Sequence, residues 1–346
     1  MIEMAEEDCL TKAQLKQVVK ASDKLLTDYL KIRAHFVEAI KSANSSGAEE
    51  SEIEAMTKSL SFHQEIFVNV AALIGKCLET SSEPFVPELA QISKVYGQFL
   101  TGSIEAVDET ELQVAICYFD DLVEHGDELG VQVAQPWIPI VIQHINSPAP
   151  DVRQAAVYGL GVLAEMYPSI IQPFVVNVLN ETNRLITAED SREGINVHAT
   201  ENAISTAGKI IKTFSQVESI IQALPVWLQY LPVGKDEEAD DIYKTLCQFC
   251  VDFTSVVLGT NFSFFPNLLE IFASALSNQE FVTDKTKKKI VAILSQFHTT
   301  FPDVFQSAFA AISPSSRGTH PFYFSNSLLN FSNQIFLFLA DILQSL

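Results

Sequence analysis

The chain has 346 residues, with 43 Asp and Glu against 22 Lys and Arg, a formal charge of −21, and 47% hydrophobic residues. That much apolar side chain excludes a disordered acidic tail. The acidic balance argues against nucleic acid, whose phosphates are held by clustered Lys and Arg, and favours a basic partner through complementary potential.

The first residues, MIEMAEEDCL, begin acidic and lack the basic and apolar regions of a secretory signal. Five cysteines at long, irregular spacings are no disulfide framework, so a reducing compartment is expected, with the sequons at Asn180 and Asn261 unused. Residues 11–42 read as one long helix carrying Leu15, Val18, Val19, Leu25, Leu26, Leu30 and Phe36. An acidic, serine-rich linker is expected near 43–52, followed by a second long helix over about 52–79.

From there a proline followed by an apolar helical stretch recurs, at Pro87, Pro136, Pro173, Pro225 and Pro266, at intervals of 49, 37, 52 and 41 residues. Each stretch is followed by a polar break and a second amphipathic stretch, so the repeating unit is a helical hairpin with the period of HEAT and armadillo arrays. The second helices carry apolar stripes at helical spacing: Leu112, Ile116, Phe119 and Val123 in one, Val152, Ala156, Leu160, Leu163 and Tyr167 in the next, and Ala203, Ile204, Ala207, Ile210 and Ile211 in the third. The expected fold is all-α, an α-solenoid of HEAT-repeat hairpins, with divergent helical repeats over 1–104, the array over 105–312 and an atypical tail over 313–346. That tail is rich in Phe, and its last 29 residues hold one charge, Asp341. A terminal repeat normally shows solvent a polar face, so the tail either docks on the preceding hairpins or marks a truncated end. No run of about 18 apolar residues is present, so no membrane span is expected.

The segment SPAPDVRQAAVYGLGVLAEMYP carries the clearest signature. Asp151 sits where a carboxylate favours a helix N-terminus, Arg153 is expected to bridge to a carboxylate of a neighbouring repeat, and small residues let helices approach closely. Trp137 and Trp227 lie beside prolines in first helices, where packing is their expected role. Cys247 and Cys250 form a lone CxxC in an apolar helix and read as buried thiols. Gly159 and Gly161 fall inside a helix, the Gly208-Lys209 pair lacks the rest of a phosphate loop, and no GxSxG or HExxH occurs. No catalytic residue, metal or cofactor is expected.

The runs CYFDDLVEHG, PDVRQAAVYGLGVLAEMY, INVHATENAISTAGKIIK, LPVWLQYLPVGKDEEAD and VVLGTNFSFFPNLLEIFA, collinear over about residues 105–312, resemble the C-terminal repeats of the importin β family of nuclear transport receptors, in its importin subunit beta-3 branch. Residues 1–104 resemble the preceding part more weakly. The resemblance implies a right-handed superhelix whose second helices line a concave inner surface, cargo bound there, Ran GTPase and nucleoporins as further partners, and shuttling between cytoplasm and nucleus. In that family Ran is held mainly by N-terminal repeats. No counterpart of those repeats is found here, so the chain reads as a transport receptor or only its cargo-side portion, whether a fragment, an incomplete sequence or a shortened cargo-side paralogue, with Ran responsiveness left open.

Charge placement supplies the candidate site. Residues 95–152 contain no Lys or Arg and ten carboxylates. On the second helix that begins near Asp108, Asp120, Asp121 and Glu124 lie off the apolar stripe. If that helix lines the concavity, as the resemblance implies, they face a cargo and would hold Lys and Arg of a nuclear localisation signal, as on ribosomal proteins or histones. The alternative is a solvated acidic face. A second candidate surface is His198, Asn202, Ser205 and Lys209 with Glu201 beside them, for which inter-repeat packing and capping is the competing reading. The carboxylates of KDEEADD, from Lys235, are explained by a helix start. The competing function class is a HEAT scaffold subunit of a multiprotein complex.

Overall fold

The computed structural model describes residues 10–81 and 85–311, so the Phe-rich tail expected over 313–346 lies outside the described residues. The chain divides into two compact units, Met1–Leu185 and Ile186–Leu346. Among the described residues there is no strand.

In the first unit, α1 (Lys12–Ser46) and α2 (Glu50–Thr80) pair as a hairpin, followed by α3 (Ala90–Leu100) and α4 (Glu109–His125). The next first helix is bent into α5 (Asp127–Ala134) and α6 (Ile138–His144), and its partner is α7 (Pro150–Met166); α8 (Pro168–Ile171) and α9 (Val175–Ile186) follow. In the second unit come α10 (Asn196–Thr213), α11 (Glu218–Ile221), α12 (Leu224–Trp227), α13 (Ala239–Asp252), α14 (Thr254–Leu258), α15 (Phe265–Ser277), α16 (Asp284–Thr300) and α17 (Pro302–Ala311). The recurring prolines occupy the starts and bends of first helices: Pro136 and Pro173 sit in single 3-10 turns, and Pro225 and Pro266 in the first turns of α12 and α15. Those are positions where the missing N–H costs little.

Within each unit the second helices lie side by side, α2 against α4 and α4 against α7 in the first, α10 against α13 and α13 against α16 in the second. This is the α-solenoid arrangement expected from the hairpin period. It also widens the buried surface beyond the expected stripes. Helix α4 buries Val114, Ala115, Ile116, Tyr118, Phe119, Leu122 and Val123, and with them Glu111 and Asp120. A second helix has its own first helix on one side and a second helix on each flank, so positions off the apolar stripe are covered as well.

The acidic stretch near 43–52 is not an extended linker. Helix α1 continues to Ser46 and ends on Gly47, whose φ of 72° supplies the left-handed cap, with the Gly47 and Ala48 amides returning to Ala43 O. Helix α2 begins three residues later, where Glu50 and Glu52 in its first turn suit the helix dipole. The expectation failed because serine and glutamate signal helix ends as readily as linkers.

Candidate functional site

The acidic band centres on α4. Its N-terminus is fixed by a capping box in which Asp108 accepts from the Glu111 amide at 2.9 Å and Glu111 accepts from the Asp108 amide at 3.2 Å. The helical turn then carries Asp121 and Glu124 away from Ile116, Phe119 and Val123, all fully buried, whereas Asp120, four residues after Ile116, stays beside them. Each carboxylate has a different setting. Glu124 is one-third exposed and accepts from the Tyr158 hydroxyl of α7 at 2.7 Å. Asp121 lies against Gly75 of α2, where any larger residue would collide with its carboxylate. Asp120 lies against Gly159 of α7 in the same way and is only 6% exposed.

The expectation that all three face outward is therefore corrected for Asp120, which is enclosed in the α4–α7 contact because Gly159 leaves room for it. Its Oδ1 is buried without a hydrogen-bond partner. Burial, reinforced by Asp121 and Glu124, raises its carboxyl well above the usual range. Burial also pushes Asp121 up, to about 7, with Glu124 and Glu79 of α2 adding repulsion. Glu79, Gly75 and Tyr158 were not singled out in the sequence. Gly75 and Gly159 break otherwise apolar stripes, and that was the one signal available.

The second candidate surface, on α10, is engaged within the chain. Glu201, 2% exposed, accepts from the amides of Gly234, Lys235 and Asp236 at 2.9–3.1 Å. Burial raises its pKa, and those amides together with Arg192 act against the shift. Asn202, also buried, donates to Asp236 Oδ1 at 3.0 Å, and His198 Nδ1 pairs with Asp236 Oδ2 at 2.8 Å. Ser205 and Lys209 both reach Glu238. This face thus grips the turn before α13, and only His198, with half its side chain exposed, remains open. The same device recurs one step on, where Asp240 of α13 accepts from the Thr283 amide at 2.8 Å at the start of α16. In the first unit Gln64 of α2 bonds Asp108 at the start of α4.

Asp151 stands in the first turn of α7, as expected. Arg153 donates to the carbonyls of Ser147 at 2.7 Å and Pro148 at 2.9 Å within its own hairpin. Trp227 is buried and donates to Ile204 O at 2.8 Å across Gly208, while the Trp137 ring covers Gly97, so both pack. Cys247 and Cys250 are buried, and burial pushes the Cys247 thiol up to about 12. Among the described residues no group of three or more His, Cys, Asp or Glu could hold a metal ion, and no single helix is long and apolar enough to cross a membrane. The sequence reading also passed over Arg33 of α1. It is buried and makes a two-pronged bond to Glu111 at 2.6 and 2.9 Å, with Tyr29 on the same carboxylate.

Comparison with known proteins gives this arrangement its relatives. The family model "Importin repeat 6" matches residues 1–102, the part in which the sequence resemblance was weakest, and the "HEAT repeat" model matches 138–167. A probable importin-5 homolog of Dictyostelium discoideum is 27% identical over 252 residues, covering 70% of this chain and 23% of that protein. Importin subunit beta-3 of Saccharomyces cerevisiae is 22% identical over 297 residues, covering 84% and 26%. The chain is similar to members of the importin β family. Relatives in this family are nuclear transport receptors that move between cytoplasm and nucleus. The importin β fold also extends through the chain. The karyopherin Kap121p, in a crystal structure with the extreme C-terminus of the protein phosphatase Cdc14p, superposes with a TM-score of 0.63 at 18% identity, covering 97% of this chain and 26% of that one. Kap121p bound to RanGTP gives a TM-score of 0.62 at 18% identity, covering 97% and 27%. The chain thus spans about a quarter of the length of the relatives it matches.

Proposed function

We propose that the chain is the cargo-side portion of a nuclear transport receptor, and that it binds basic proteins on an acidic surface formed by the exposed faces of its second helices. The observation that carries this reading is the closeness of Asp121 and Glu124 of α4 to Glu79 of α2, the two α4 carboxylates lying in a stretch of 58 residues free of Lys and Arg. Burial, with Glu124 and Glu79 adding repulsion, raises Asp121, and a cationic side chain beside it would favour its ionised form. Basic cargo such as ribosomal proteins or histones, Ran and nucleoporins are the partners that go with this reading, and shuttling between cytoplasm and nucleus the localisation. In the second unit His198 is the open residue on α10 for such a contact, whereas Glu201 and Asn202 serve the packing of repeats. Binding would be multivalent along the array, each contact weak and the sum strong.

The test is affinity capture on the purified chain across a salt series. Transport predicts recovery of Lys- and Arg-rich nuclear proteins that fall away steeply as salt rises. A single partner held at fixed stoichiometry and insensitive to salt would instead identify a scaffold subunit.

A further inference from the structure

In a chain of net charge −21, one short stretch is strongly basic: KTKKK, residues 285–289, in the first turns of α16. Thr286, Ile290, Ile293, Leu294 and Phe297 form the buried stripe of that helix. With each residue turned by about 100° from the last, Lys285, Lys288 and Lys289 fall together on one side away from the stripe, and all three are exposed. Lys289 stands on the α13 side, where its charge acts on the Cys247 thiol. Lys287 lies on the other flank and lines a shallow hollow with Glu280 and Asp284.

Local physics opposes this placement. Cations are disfavoured beside the positive end of a helix, and like charges three and four residues apart repel, as Lys285 does with Lys288 and Lys289. Several other helical lysines are answered by a carboxylate at that spacing: Lys31 by Asp28, Lys58 by Glu54, Lys76 by Glu79, and Lys244 by Asp240 and Asp241. Among the described residues, Lys285, Lys288 and Lys289 have no ion-pair partner, although Asp284 stands four residues before Lys288. The acids of the neighbouring α13 are engaged on their own helix, Asp240 and Asp241 with Lys244, and Asp252 with Gln248 at 2.8 Å.

We propose that Lys285, Lys288 and Lys289 form a docking surface on α16 for a short acidic segment of a partner protein, a run of Asp and Glu. The site is separate from the basic-cargo surface and does not depend on it. Cations set against the helix dipole and against one another, with no carboxylate of their own chain, are relieved by carboxylates from outside. Four residues of helix rise about 6 Å, close to the roughly 7 Å between alternate residues of an extended peptide. Carboxylates on one side of such a peptide can therefore meet Lys285 and Lys289 in succession, with Lys288 between them. Nucleic acid fits this face poorly. Three lysines in a chain of −21 make no stripe along which phosphates could run, and residues 284–296 hold no aromatic ring on which a base could stack.

The experiment is fluorescence anisotropy across a salt series with a labelled peptide of alternating Glu and Ser, and with a single-stranded oligonucleotide of equal charge, on the full chain and two variants. One variant carries Lys285→Glu, Lys288→Glu and Lys289→Glu together. The other carries Lys20→Glu, Lys24→Glu and Lys94→Glu, three exposed lysines of the first unit, and changes the net charge by the same amount. The expected result is binding of the acidic peptide that weakens as salt rises, a loss of at least about tenfold in the α16 variant, and a change of less than about twofold in the other. Glutamates suit the start of a helix, so the α16 variant should melt no lower than the wild type, which separates lost binding from lost folding. No binding of the acidic peptide at low salt, an equal loss in both variants, or tighter binding of the oligonucleotide than of the peptide would overturn the proposal.

Discussion

At the scale of single residues, environment rather than residue type decides what a carboxylate does here. Asp240 is pushed up by burial, but Lys244 and the Thr283 amide outweigh that, and its pKa falls below the usual range. Its contribution to stability is therefore present at neutral pH and lost as pH falls through its lowered folded pKa. Asp121 is the opposite case, raised to about 7 by burial and by Glu124 and Glu79. The folded chain then holds a proton that the unfolded chain has released, so stability declines as pH rises from about 4 to about 7. Asp121→Asn should remove that decline. We expect it to stabilise the chain by on the order of 2 kcal/mol at pH 8 and by little at pH 4, measured as urea midpoints across pH. A variant as pH-sensitive as the wild type would show that Asp121 titrates normally.

At the scale of elements, the polar residues of one second helix hold the start of the next. Gln64 reaches Asp108, the polar face of α10 holds the turn at Gly234–Glu238, and Asp240 meets Thr283. In the first unit a further tie runs from α1 to α4, through Arg33 on Glu111. Removing one partner of a buried ion pair strands the other, at about 3–5 kcal/mol. Arg33→Ala should accordingly cost that much in chemical denaturation, whereas Arg33→Met with Glu111→Leu, which removes both charges, should recover most of the loss. Equal destabilisation by the single and double changes would place the effect in packing rather than charge. These ties also mark the limit of what could be read in advance. Helix positions, proline bends and apolar stripes follow from local periodicity, and they were legible. The burial of Asp120, Glu201 and Asn202 depends on Gly159, Gly234 and Asp236, 39, 33 and 34 residues away, which periodicity within one helix cannot register. Arg33 falls on the same helical face as Leu26 and Tyr29, so its burial was readable in principle from spacing.

At the scale of the whole molecule, charge and fold point the same way. A solenoid gives every second helix an exposed edge as well as buried flanks, and Glu79 of α2 and Glu124 of α4 stand part-exposed in the first unit. The chain spans about a quarter of the length of each relative. Anionic side chains spread over several hairpins can engage a flexible basic segment at many points. The most direct measurement is the affinity of a lysine-rich peptide, and its dependence on salt, for the wild-type chain and for the triple reversal Asp120→Lys, Asp121→Lys and Glu124→Lys. Binding by the wild type that weakens steeply with salt, and its loss in the reversal with helicity retained, is the predicted result. Equal affinity and equal salt dependence in the two chains would contradict the acidic cargo surface.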